Sequence, residues 1–179
     1  MKTAASFALV FALAGLVACG EAPPAETAAA PPAAAPSPAS AQPAAPAAPT
    51  VQQIIETRQA NLKDMGKNFK AISDQTKAST PDMAVIEPAA DVVKAHAAEI
   101  GNWFPAGSGA EAGVKTAALP EIWSDPAKFE AAVAMLQQEA GALQTAAATG
   151  DAAQVKAQFP KTGGACKNCH DTFRKPEDK

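Results

Sequence analysis

Cys166-Lys167-Asn168-Cys169-His170 is the stretch of this chain whose residue types and spacing could do chemistry. A C-x-x-C-H run matches covalent attachment of haem. Two thiols add to the two vinyl groups, and the histidine that follows becomes an axial ligand of the iron. On a helix, Cys166 and Cys169 stand at i,i+3 and Cys166 and His170 at i,i+4, so all three project from one face along which a planar macrocycle can be fastened. Half of a zinc site and a redox dithiol use the same residue types. Zinc normally takes four ligands, and the other candidates, Cys19 and His96, are distant in sequence. A thioredoxin-like dithiol needs a βαβ setting, and no such pattern is present. Haem attachment is the expected chemistry.

Cysteine parity agrees. The chain has 3 cysteines; two belong to the motif and the third is Cys19, so no structural disulfide is left to build. Attachment of this kind needs reduced thiols outside the cytoplasm, and the N-terminus reads as an export signal. Lys2 is a short positive n-region, and Ala4 to Val17 is almost wholly apolar, too short and too early for a mature spanning helix. Leu16-Val17-Ala18-Cys19 resembles a bacterial lipobox, in which cleavage precedes the cysteine and the cysteine becomes lipidated. Residues 1–18 are thus expected to be a lipoprotein signal peptide and Cys19 a membrane anchor; several acyl chains anchor stably where one does not. Residues 22–49 hold 9 of the chain's 16 prolines and are otherwise nearly all alanine. Such a segment cannot build a core. Residues 19–49 read as a disordered tether, in which residues 22–49 have a reach of roughly 30 to 85 Å.

Residues 50–179 are the size of one small domain. Removing Lys2, Glu21 and Glu26 from the whole chain's 15 basic and 18 acidic residues leaves 14 and 16, a balance that gives no footing for nucleic acid. Tyrosine is absent, alanine abundant and β-branched runs scarce, so an all-α fold is expected. Four amphipathic segments can be read. The first follows Thr50 as N-cap, with Val51, Ile54, Ile55, Arg58, Leu62, Met65, Phe69 and Ile72 at steps of three and four. The second starts near Pro81-Asp82 and ends at Gly101, its stripe running from Met83 through Ile86, Ala90, Val93 and Ala97 to Ile100. Residues 105–120 are Gly-rich and loop-like. The third starts after Ser124-Asp125-Pro126, carries Phe129, Val133, Leu136, Ala140, Leu143 and Ala147, and stops at Gly150. The fourth starts at Asp151, is expected to break or kink near Pro160 and Gly163-Gly164, and resumes through the motif to Lys175. Four such helices form an antiparallel four-helix bundle, with haem c covalently attached to the last.

The motif at the C-terminal end of the last of four helices resembles the class II c-type cytochromes, which include cytochrome c prime. Three further stretches are similar. They are Arg58-Gln59 with Leu62-Lys63 and Gly66, then Leu119-Pro120-Glu121-Ile122-Trp123 through Asp125 and Phe129, and last Gly164-Ala165-Cys166 through His170 with Phe173-Arg174. The resemblance spans residues 50–179. It implies Cys166 and Cys169 as the thioether residues and His170 as proximal iron ligand. It also implies haem contacts from Arg58 and Gln59, Arg58 near a propionate, and Arg174 beside the imidazole. Ser108 falls where the family's loop can approach the haem. The residue four after the first-helix arginine faces the iron in this family; here it is Leu62, which has no lone pair. The resemblance therefore implies five-coordinate, high-spin iron with a small dry distal pocket suited to NO or CO.

Alternatives remain at this point. Met65, one turn after Leu62, could bind the iron through sulfur and make a six-coordinate low-spin electron carrier; its other role is core packing. His96 is a weaker rival, and Trp103 and Trp123 read as packing residues. A haem enzyme handling NO or peroxide would need a distal acid–base group, and the distal residues Leu62, Met65 and Phe69 supply none, so no enzyme is expected. The expected protein is a periplasmic, membrane-tethered haem protein that carries electrons or binds small gases, with a redox partner protein and, by the resemblance, a possible homodimer. From Lys156 onward six Lys and Arg face three acidic residues, a weak positive excess that could steer an acidic partner.

Overall fold

The computed structural model describes residues 48–176. The expected signal peptide, Cys19, nearly all of the expected tether and residues 177–179 lie outside the described residues.

Helix α1 spans Val51–Lys77 and opens with a capping box: the Gln53 amide donates to Thr50 Oγ1 at 3.3 Å and the Thr50 amide donates to Gln53 Oε1 at 2.8 Å. Its inner face buries Ile55, Arg58, Met65 and Ile72. Helix α2, Met83–Glu99, is capped by Asp82, which accepts from the Ala84 amide at 2.9 Å. Gly101 was the expected stop, but the α-helix ends at Glu99 and tightens into a 3-10 turn, Ile100–Trp103. Such a tightened last turn satisfies carbonyls that the helix end would leave unpaired. A short helix α3, Glu121–Ser124, lies in a stretch whose pattern is too brief to announce it. Helix α4, Pro126–Ala148, begins as expected, with Asp125 accepting from the Lys128 amide at 3.2 Å and Pro126 in the first turn. It ends before Gly150, whose φ of 72° is a left-handed conformation open to glycine.

Helix α5, Ala152–Phe173, is capped by Asp151 and runs without interruption. Of the break or kink expected near Pro160 and Gly163-Gly164, the break does not occur. Proline removes one amide donor, but Val155, Thr162 and Ala165 are buried on the same helix, and Thr162 Oγ1 donates to the Glu139 carbonyl of α4 at 3.0 Å. Packing of that face outweighs the local propensity. The helix also stops at Phe173 rather than Lys175, because Arg174 turns to extended backbone and bridges to Ala118.

The four long helices alternate in direction. His96 meets Asp64 between α2 and α1, Gln137 reaches the Ala98 carbonyl and Gln144 reaches Asp91 between α4 and α2, and Gln158 reaches the Glu139 carbonyl between α5 and α4. This is an all-α antiparallel four-helix bundle. The main core unites Ile72, Ile86, Val93, Leu136, Leu143 and Val155. A second cluster of Ala118, Ile122, Phe129, Ala132 and Phe173 fills the end where α4 starts and α5 finishes. α1 packs closely on α2, α2 on α4 and α4 on α5, whereas α1 and α5 meet much more sparsely. The α1–α5 seam is the least filled of the four.

Candidate functional site

Cys166, Cys169 and His170 occupy the last two turns of α5. The two thiols are half-buried and His170 is exposed. Cys166 packs against the main core and Cys169 against the second cluster, so the motif bridges the two apolar regions. Burial pushes the Cys166 thiol above its ordinary value, and burial, with the neighbouring Cys166 as a lesser cause, pushes Cys169 up to about 11. Both are neutral thiols at neutral pH. Among the described residues no cluster of three or more His, Cys, Asp and Glu could hold a metal ion, so the zinc alternative finds no partners there.

What faces the motif follows from the register of α1 against α5. Phe69 stacks on Phe159 with ring centroids 4.4 Å apart, and a Cβ built at Gly163 would meet Phe69 Cζ at 3.6 Å. The two helices run in opposite directions with equal rise per residue. Stepping seven residues back along α1 from Phe69 and seven forward along α5 from Phe159 and Gly163 brings Leu62 level with the turn Cys166–His170. Leu62 is half-buried at the edge of the main core. Met65 is 9% exposed and belongs to that core. His96 Nε2 lies 3.0 Å from Asp64 Oδ2, and its ring stands edge-on to Trp103, with 5.6 Å between centroids. Its imidazole is thus engaged on the α1–α2 side.

Arg58 is 2% exposed. Nη1 donates to Ser108 Oγ at 3.0 Å and to the Trp103 carbonyl at 3.4 Å; Nη2 donates to the Ser108 carbonyl and to Thr116 Oγ1, each at 3.0 Å. The guanidinium also lies over the Phe104 ring, 4.6 Å from its centroid. Burial pulls its pKa below the ordinary value. All of these partners are neutral, and among the described residues no carboxylate pairs with it. Gln59 is exposed and donates to the Lys115 carbonyl at 2.8 Å. Both residues thus reach the loop that the sequence left without structure. Its far side is pinned to α5: the Leu119 amide donates to the Phe173 carbonyl at 2.9 Å and the Lys175 amide to the Ala117 carbonyl at 2.8 Å. Arg174 sits at that junction, half-buried.

Sequence reasoning missed Trp103, Phe104 and Thr116 as partners of Arg58, and Asp64 as the partner of His96. A signal for the first was present: an arginine in an apolar stripe must find acceptors inside the fold. Which loop residues supply them is not written in any spacing. Trp123 is a packing residue with a polar handle, its Nε1 donating to the Phe104 carbonyl at 3.1 Å.

The residues fit the group that the motif implies. Two neutral thiols and an imidazole share one helical face, the sparsely packed α1–α5 seam lies beside them, and Arg58 is a buried cation with which no carboxylate pairs among the described residues. The class so defined is a helical bundle with thioether-type haem attachment on its last helix. Comparison with known proteins agrees. The family profile described as Cytochrome C' matches residues 53–174. A cytochrome c' of Rhodopseudomonas palustris is 38% identical over 122 residues, covering 68% of this chain and 81% of that protein. The crystal structure of cytochrome c' from Thermochromatium tepidum superposes with a TM-score of 0.68 at 33% identity, covering 73% of this chain and 100% of that one. A ferrous variant of the Alcaligenes xylosoxidans cytochrome c prime with bound NO gives a TM-score of 0.63 at 30% identity, covering 71% of this chain and 97% of that one.

The chain belongs to the cytochrome c' family. Proteins of this family carry one covalently attached haem c per chain and act in electron transfer or gas binding.

Proposed function

We propose that this protein is a five-coordinate, high-spin haem c protein that binds small uncharged gases and exchanges single electrons, and is not an enzyme. The observation that carries the proposal is the register that brings Leu62, a residue with no donor atom, level with the turn Cys166–His170. When bound, the haem supplies a redox-active iron with one side open to a diatomic ligand. The chain's own residues do the rest. Cys166 and Cys169 hold the group through thioethers, and His170 is the proximal ligand. Leu62 presents a side chain with no donor atom and excludes water from the opposite side. Arg58, a buried cation among neutral partners, is offset by an anionic edge of the cofactor, with Gln59 beside it. Arg174 stands one turn beyond His170 and orients the imidazole.

The Alcaligenes relative described with bound NO supports a gas as ligand here. The apolar character of Leu62, Met65 and Phe69 supports binding over turnover, since proton handling needs a distal acid or base. Met65, packed into the main core, has a sufficient structural role, and His96 is held by Asp64.

The setting proposed is the bacterial periplasm. Residues 1–18 act as signal peptide, and residues 19–49 form the tether, with Cys19 lipidated. Residues 50–179 form the haem domain, free to meet a redox partner or to form a homodimer. Among the described residues no helix is long and apolar enough to cross a membrane.

Optical spectra of the purified protein test the reading, taken oxidised and reduced, with and without NO. High-spin bands that shift with NO are expected. A low-spin spectrum with a sulfur-to-iron band would move the sixth position to Met65 and overturn the open site. Mass spectrometry of the mature protein checks haem and lipid together.

A further inference from the structure

Residues 103–119 form a strap that is tied down on both sides of the α1–α5 seam. On the α1 side, the Arg58 fork holds Trp103, Ser108 and Thr116, and Gln59 holds Lys115. On the α5 side, the backbone of residues 117–119 pairs with that of residues 173–175. The strap therefore joins the beginning of α1 to the end of α5, two helices that otherwise touch sparsely. Arg58 lies one turn before Leu62 on the same face of α1, about 6 Å along the axis. It sits beside the position where a ligand would arrive.

We infer that Arg58 is a positioning residue that clasps the 103–119 strap across the seam and so sets the passage of small ligands to the Leu62 side. This rests on the haem reading above but goes beyond any contact between Arg58 and the cofactor. A lysine could not reproduce the clasp, because four acceptors arranged around two nitrogens need the planar fork. Thr116 is the keystone on the strap. Its hydroxyl oxygen accepts from Arg58 Nη2 at 3.0 Å and from the Ala118 amide at 3.2 Å, the residue that bridges to Arg174. One hydroxyl thus connects the α1 tie to the α5 tie.

The test is Thr116→Val in the haem-loaded protein, which leaves Arg58 and every residue of α1 and α5 in place. Hydrogen exchange reads the amides of Leu119 and Lys175, and flash photolysis reads the rebinding of CO to the ferrous protein. Losing an acceptor for a buried charged donor should raise exchange at both amides by about tenfold or more, with α2 and α4 amides unchanged. CO association should accelerate in parallel, and Thr116→Ser, which keeps the hydroxyl, should restore both parental values. Thr116→Ala carries the same expectations if Thr116→Val does not fold. Unchanged exchange at Leu119 and Lys175 overturns the clasp. Faster exchange with unchanged CO association overturns control of passage. A parent protein that binds no CO sinks the haem reading and control of passage with it, while the exchange measurement still decides the clasp.

Discussion

Phe69 of α1 stacks on Phe159 of α5, with 4.4 Å between ring centroids and 14° between ring planes. This pair, with the approach of the Phe69 ring to Gly163, sets the level at which the first and last helices face each other. Seven residues along from these contacts, Leu62 stands level with the turn Cys166–His170.

Leu62→Met should place a thioether sulfur at the level of the turn Cys166–His170. The iron should move toward a six-coordinate low-spin state, and gas binding should weaken. The optical spectrum and an NO or CO titration check this. A variant that kept the parent spectrum and affinity would show that α1 presents another residue to the iron.

Cys166→Ala and Cys169→Ala should each leave a single thioether, and the double variant none. Mass spectrometry of denatured protein reads the outcome directly: haem stays on the chain in each single variant and is lost from the double one. Because the thiols lean on different apolar clusters, the two single variants should also differ in which helix contacts loosen.

Leu143 is fully buried in the last two turns of α4, with 0% exposure. Leu143→Ala should cost about 2–5 kcal/mol by removing buried methyl groups and leaving a cavity. Met135, on the same helix at 46% exposure, should change stability by no more than about 0.5 kcal/mol when replaced by alanine. Urea unfolding followed by circular dichroism measures both.

Asp151 caps α5, and the Ala153 amide, followed by the Gln154 side chain, holds its carboxyl below the ordinary range. Its folded pKa is lower than its unfolded one. The stability it contributes is therefore complete above the unfolded value, about 4, and is lost as the pH falls through the folded one. Asp151→Asn keeps a capping acceptor that does not titrate. Its urea midpoint should fall less steeply than the parent's between neutral pH and about 2.

Much of this was readable in one dimension. Thr50, Asp125 and Asp151 announce three helix starts because a cap needs only a side-chain oxygen two or three residues from an unpaired amide. Gly150 announces a stop because a left-handed residue is a local requirement. The Cys166–His170 spacing states its chemistry because all three groups lie within about one turn of one helix. Those features depend on neighbours in sequence alone. Pro160 does not break α5: its local cost is real, but the buried Val155, Thr162 and Ala165 face binds α5 to α4 and keeps the helix continuous.

What only the tertiary structure decided are relationships between residues far apart along the chain. Arg58 and Ser108 are 50 residues apart, Asp64 and His96 are 32 apart, and the strap pairs residues 117–119 with residues 173–175. By itself the sequence determined that four amphipathic helices would form and that the last would carry two thiols and an imidazole, since helix periodicity and capping act within a few residues. It could not determine which acceptors a buried guanidinium would find, or that the strap would close over the seam. Those outcomes depend on how helices of this length come to rest against one another, and only the folded packing settles that.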